Sequence, residues 1–213
     1  MTGEGRQGGR GAGSGPADRP LVLGVAGSAR KHGNSATLLA AVLDELAGEV
    51  RTETVFLADC DIRPCTGCHY CETHGSCRLE DDMSGLHRRL LAAEVILLAS
   101  PAYMGGLCSR VQAFMERTWP LRKGRMAGKA GSYVVAGRRR IGAAISLAEE
   151  FFTRLRMTKL PGVLGYAFEP GRIAADAEAM TGARRLADEI RAHLRLGPAR
   201  PRAGDGKERT PNG

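Results

Sequence analysis

Leu21-Val22-Leu23-Gly24-Val25-Ala26 is an apolar run that breaks into Gly27-Ser28-Ala29-Arg30-Lys31-His32-Gly33-Asn34-Ser35-Ala36-Thr37 before Leu38-Leu39 resumes it. The order predicts a buried parallel strand, a polar turn and a helix. A helix entered through small and hydroxyl residues turns its unsatisfied N–H groups back into the turn, which makes an anion site. The turn lacks the G-x-G-x-x-G of a dinucleotide site and the G-K-[ST] ending of a nucleotide P-loop. Ser28, Ser35 and Thr37 offer hydroxyls, Arg30 offers a planar fork, and Gly33-Asn34 admits close backbone approach, so a terminal phosphate suits it. An ordinary capped strand-to-helix turn is the competing reading.

Outward from this stretch, Leu38, Leu39, Val42, Leu43 and Leu46 keep helical spacing up to Gly48. Further strands are predicted over residues 51–57, 95–99, 132–136 and 160–168. Helices follow around Met83 to Leu91, Leu107 to Met115, Ile145 to Leu155 and Ala177 to Leu196, with Asp81 or Asp82 capping the first of these. Five apolar strands alternating with five helices define an α/β fold, a doubly wound five-stranded parallel sheet buried on both faces. Ligands of such sheets bind beyond the strand carboxyl ends where strand order reverses, so the loops after strands one, three and four should converge. Ser100-Pro101-Ala102-Tyr103-Met104-Gly105-Gly106 reads as a turn, because Pro101 cannot continue a central strand. Tyr103 at that turn can stack on a flat ring, or else belong to the core.

Residues 58–82, between strand two and the second helix, show no period and exceed the usual connection length. They hold Cys65-x2-Cys68-x2-Cys71-x5-Cys77. Three short gaps can wrap three corners of a cubane and the fourth ligand can return through Gly75. The same cysteines can instead serve as reduced or disulfide-exchanging thiols, or hold zinc, with His69 and His74 adding to the ambiguity. Cys60 and Cys108 lie outside the spacing and read as plain thiols.

The 213 residues suffice for one cored domain, expected over residues 20–196, with glycine-rich or apolar-poor tails at 1–19 and 197–213 expected to be disordered. No apolar run suits a secretory signal or a bilayer span, so a soluble cytoplasmic protein that binds no membrane is expected. The net charge of +8 equals the eight Lys and Arg residues of the acid-free segment 117–140. That segment suits cofactor phosphates or an acidic redox partner, or is simply a solvated surface. With 5% aromatic residues and no recognition motif, nucleic-acid binding is disfavoured.

Gly27-Ser28-x-Arg30-x-x-Gly33-Asn34-Ser35, Ser100-Pro101-Ala102-Tyr103-Met104-Gly105, and a cysteine-rich insertion ending in Asp81-Asp82-Met83 together resemble the NAD(P)H-dependent FMN reductase-like flavoproteins, nearest their iron–sulfur flavoprotein branch. The resemblance implies a flavodoxin-like sheet of order 2-1-3-4-5. It implies an FMN whose phosphate is held by Ser28, Arg30, Gly33, Asn34 and Ser35, and whose ring is bordered by Pro101, Ala102, Tyr103, Met104 and Gly105. Gly137 and Arg138 of the loop after strand four join this set, and Cys65, Cys68, Cys71 and Cys77 would hold a 4Fe-4S cluster. The implied activity is FMN-dependent oxidation of NAD(P)H, with electrons leaving to a quinone, free flavin or redox protein. The alternative is a non-enzymatic electron carrier served by ferredoxin. A homodimer or tetramer is also implied. Cys108 stands where serine is usual and Gln112 where lysine is usual, and Arg138-Arg139-Arg140 fills a loop that is commonly glycine-rich. That run suits the 2′-phosphate of NADPH.

Overall fold

In the computed structural model, which describes residues 19–196, the chain runs β1 (Leu21–Ala26), α1 (Asn34–Glu45), β2 (Arg51–Phe56), α2 (Tyr70–His74) and α3 (Met83–Ala92). It continues through β3 (Val95–Tyr103), β4 (Gly106–Leu107), α4 (Ser109–Arg117), β5 (Ala130–Gly137) and α5 (Gly142–Arg154), and closes with β6 (Thr158–Lys159), β7 (Val163–Tyr166) and α6 (Ala177–His193). The expected disordered tails lie outside the described residues, Arg19 excepted. None of the described helices is long and apolar enough to cross a membrane.

The sheet order is β2-β1-β3-β5-β6, with β7 also on β5. All of these pairs are parallel. This is the expected 2-1-3-4-5 order, the fifth strand being split. Pro161 lacks an N–H, and a Cβ on Gly162 would stand 2.1 Å from the Tyr133 ring, so the chain detours between β6 and β7. Strand order reverses between β1 and β3, which opens a crevice at their carboxyl ends.

Alternation along the strands divides the core into two layers. Leu21, Leu23 and Val25 of β1 and Ile96 and Leu98 of β3 pack with α3, α4 and α5. Val22, Ala26, Val95, Leu97 and Ala99 pack with α1 and α6. Every residue of β1 and β5 is buried, as flanking strands and helices on both faces require.

Two expectations need correction. β3 does not stop at Ala99: it runs through Pro101, Ala102 and Tyr103, pairing Pro101 with Ala136 of β5. Its pairing with β1 ends at Ala99 and its pairing with β4 begins only at Ala102, so Pro101 sits where β5 is the one paired neighbour. Residues 58–81 are not wholly irregular either, since they contain α2. That single turn is set between left-handed His69 and Gly75 and is stiffened by stacking of Tyr70 on His74, centroids 3.7 Å apart.

Candidate functional site

The turn after β1 is seated on the start of α4. The Gly27 N–H donates to the Ala99 carbonyl at 2.8 Å, and the Cys108 thiol donates to the Gly27 carbonyl at 3.3 Å. A Cβ on Gly27 would stand 2.2 Å from Val111 Cγ2, so no side chain fits there. Cys108 is buried, and its N–H donates to Ser100 Oγ. Ser28 turns its hydroxyl onto its own loop, accepting from the Arg30 N–H and donating to the Arg30 carbonyl, both at 3.0 Å. Gly33 precedes α1 with no side-chain cap, and the first turn of α1 holds no acid. The open N–H groups of that turn, with the exposed Arg30, make one end of a cleft electropositive.

The cleft has a volume of about 550 Å³, within the range of roughly 300–1,000 Å³ common for small-molecule sites. Ser28, Arg30, Gly33, Asn34 and Ser35 line one end, and Pro101, Ala102, Tyr103, Gly137 and Arg138 line the rest. Met104 and Gly105 are not in its lining. They are the two central residues of a hairpin in which Ala102 pairs with Leu107 and Tyr103 with Gly106. Both have positive φ, 49° and 82°, as a tight primed turn requires, and this carries them past the cleft. Gly105 lies against the Arg140 carbonyl, where a Cβ would approach to 3.2 Å, and its own carbonyl accepts from the Ala144 N–H at 3.0 Å. The hairpin thereby rests on α5 and presents Tyr103, 64% exposed, to the cleft rim.

Sequence reasoning missed a further wall. Ala167, Phe168, Glu169 and Pro170, after β7, line the cleft together with Ala136. The same rule that gathers the loops after strands one, three and four covers this one, and Pro170-Gly171 marks its turn. Its Phe168 ring lies 5.1 Å from the Arg138 guanidinium.

The basic segment 117–140 does several jobs. Arg117 is buried and grips the Asp81 carboxylate with both terminal nitrogens, at 2.6 and 2.9 Å, while donating to the Arg63 carbonyl at 2.7 Å. Burial raises the Asp81 pKa, but the Arg117 guanidinium and the N–H groups of Arg63 and Met83 outweigh it and hold the carboxyl below its usual range. Asp82 holds the N-cap position of α3 without a side-chain cap bond, and it is the Asp81 carboxylate that accepts from the Met83 N–H, at 3.1 Å. The Trp119 indole donates to Glu72 at 2.7 Å, and Arg122 pairs with the same carboxylate while lying over the Trp119 ring. Lys123 reaches the Glu72 carbonyl and Arg125 that of Gly75, each at 3.2 Å. Residues 117–125 thus clamp the cysteine segment, and Lys129 holds the Leu91 and Ala93 carbonyls at the C-terminal end of α3. Arg138, Arg139 and Arg140 are exposed, and Arg138 lines the cleft.

Cys65 and Cys68 are exposed, Cys71 and Cys77 half-buried. Burial pushes the Cys71 thiol up, whereas the Tyr70 N–H and the Thr66 hydroxyl draw Cys68 down. Among the described residues, no three His, Cys, Asp or Glu side chains are grouped to hold a metal ion. As folded, the four sulfurs do not form the cage expected for a 4Fe-4S cluster. Cys65 and Cys71 instead border a second cavity of about 450 Å³, with Gln112, Met115, Trp119 and Phe151. Gln112 donates to the Leu107 carbonyl at 2.7 Å and so stands on this side, away from the larger cleft.

A doubly wound sheet of this order, with an uncapped helix start and an aromatic-rimmed crevice at its switch point, defines a flavodoxin-like protein. Residues 20–169 match the family described as NADPH-dependent FMN reductase, and the chain belongs to that family. It is 37% identical over 123 residues to an iron–sulfur flavoprotein of Methanocaldococcus jannaschii, covering 57% of this chain and 64% of that one. An iron–sulfur flavoprotein of Archaeoglobus fulgidus is 31% identical over 153 residues, 70% of this chain and 77% of that one. The chain thus spans a little under two thirds of the first of these relatives. Among solved structures, the NAD(P)H:quinone oxidoreductase from Methanothermobacter marburgensis superposes with a TM-score of 0.64 at 12% identity, covering 80% of this chain and 95% of that one. An FMN-dependent NADH-azoreductase from Bacillus anthracis, in complex with FMN, gives 0.63 at 10% identity, covering 80% and 99%. At such identities these two structures speak for the fold alone.

Proposed function

We propose that this chain is an FMN-dependent oxidoreductase that takes electrons from NAD(P)H and delivers them to a quinone, a free flavin or a redox protein. The observation that carries the reading is one cleft that joins an uncapped, acid-free helix start and Arg30 to an aromatic rim. The flavin, when bound, supplies the hydride and electron chemistry. The protein's part is to bind and orient it. Arg30 and the first-turn N–H groups of α1 hold the phosphate, with Ser28 folding the loop around them. Tyr103 covers one side of the ring. Gly137 lines the cleft without a side chain, and a Cβ there would meet Ile141 at 2.6 Å and Ala102 at 3.0 Å. Arg138, Arg139 and Arg140 supply positive charge for the phosphates of a dinucleotide approaching from solvent.

The test is reconstitution with FMN followed by steady-state NAD(P)H oxidation with a quinone acceptor. Turnover well above that of free FMN supports the reading. A tightly held flavin without such turnover points to a carrier, and failure to retain FMN overturns the flavin site itself. Copies of the chain are proposed to associate as a dimer or tetramer, which sedimentation of the reconstituted protein would reveal.

A further inference from the structure

Asn34 sits in the turn assigned to the phosphate, yet its side chain is already committed elsewhere. Its Nδ2 donates to the carbonyls of Ala167 and Glu169, at 3.3 and 2.9 Å, and its Oδ1 accepts from the Ile173 N–H at 3.3 Å. These three bonds bracket Phe168. The backbone before Phe168 is fastened as well: the Ala167 N–H donates to the Gly137 carbonyl at 3.2 Å and the Tyr166 N–H to Asp176 at 3.1 Å. Ile173, on the far side, is wholly buried. The ring carried by this tethered segment is nevertheless 78% exposed, and its one ring contact among the described residues is the Arg138 guanidinium.

A large apolar ring fixed in the open at the edge of a cleft is what a stacking wall looks like before its ligand arrives. The loop bearing Phe168 is tied to α1, whereas the hairpin bearing Tyr103 is tied to α5. Those helices cover opposite faces of the sheet. The two exposed rings therefore reach the cleft from opposite faces, with the backbone of Gly137 between their strands.

We propose that Phe168 is the second wall for the planar ring bound in this cleft, and that Asn34 is a positioning residue that acts through Phe168 and not through the phosphate. The inference rests on the flavin reading of the cleft. It makes Asn34 the link between the two ends of the site: its backbone opens the helix that meets the phosphate, and its side chain sets the wall against which the ring lies.

FMN and riboflavin share the ring and differ in the phosphate, so their affinities for the apoprotein separate the two roles. Asn34→Ala should weaken both ligands by the same factor, on the order of tenfold for the hydrogen bonds lost. Arg30→Ala should weaken FMN and leave riboflavin nearly unchanged. Phe168→Ala should reproduce the Asn34→Ala signature and raise the fluorescence of bound flavin, with Phe168→Tyr restoring both. Because Phe168 is exposed, its variants keep the test available should Asn34→Ala fold poorly. Loss of FMN affinity with riboflavin binding intact in Asn34→Ala would make Asn34 a phosphate contact and overturn the proposal. So would Phe168→Ala with unchanged affinity and fluorescence. Wild-type protein that binds neither flavin overturns the flavin reading, and the inference falls with it.

Discussion

A methyl group at Gly33 would stand 2.8 Å from Ser28 Oγ and 3.1 Å from the Arg30 carbonyl. The loop cannot absorb it without opening, because the Ser28 hydroxyl is already bonded at both ends to Arg30. Gly33→Ala should therefore weaken FMN about tenfold, the loss of one or two charge-assisted contacts, with little change in melting temperature, as read by fluorescence titration beside a thermal melt. Gly27→Ala should behave oppositely. Its Cβ meets Val111 and Cys108, both buried, and overpacking of this kind costs about 1–3 kcal/mol, to be read from urea unfolding. At this scale the sequence reveals residue type better than residue role. Small and hydroxyl residues in the first loop mark an anion site, but nothing in Asn34 as a letter tells whether its amide faces the ligand or the loop after β7. Met104 and Gly105 likewise sit in a run that borders the cleft, and only their positive φ angles carry them out of it.

The cysteine segment is an element without a core of its own, and its shape comes from the clamp at residues 117–125. Glu72 is the shared contact: the Trp119 indole is the first cause of its depressed pKa, and the charges of Arg122 and Lys123 add to it. Glu72→Ala should release α2 while leaving the sheet intact. Trp119 is the single tryptophan of the chain, so its emission reports the event directly. The expected outcome is a shifted emission maximum together with faster alkylation of Cys71 and Cys77, while Cys108 remains protected until the protein unfolds. An unchanged spectrum would show that the other contacts suffice to hold the loop. The positive run in this segment is plain in the sequence. Its partition into a buried grip on Asp81, a clamp on the cysteine segment and an exposed trio at Arg138, Arg139 and Arg140 is not, because the acids it meets lie 36 to 51 residues away.

Across the molecule, stability on the α3–α4 side depends on pH through two groups. Burial lowers the pKa of His87, whose Nε2 donates to the Arg117 carbonyl at 2.8 Å, and the neighbouring Arg117 charge lowers it further. The unfolded chain then takes up a proton that the folded chain refuses. Stability is full above the unfolded value of about 6.5 and declines as pH falls from there. Asp81 works lower on the scale. Its folded pKa lies below the usual carboxyl value, so its contribution is present above the unfolded value of about 3.9 and is lost as pH drops through the folded one. His87→Gln should remove the upper step: melting temperature should fall between pH 7.5 and 5 in the wild type and stay level in the variant.

The sequence by itself determined the parallel sheet, because strands buried on both faces must be continuous apolar runs and helices covering them must repeat every three or four residues. It also placed a polar turn between such a strand and helix, which leaves backbone donors open at one end of the cleft. Only the tertiary structure decided which side chains complete the site. Phe168 and its tether to Asn34 join positions 133 to 139 residues apart, and the course of β3 through Pro101 depends on where its pairing with β1 ends. The arrangement of the four cysteines was decided in the same way. Their spacing is compatible with a cluster, yet the segment's contacts with Glu116, Trp119 and Arg122 set where the sulfurs stand, and such contacts between distant residues leave no period in the chain.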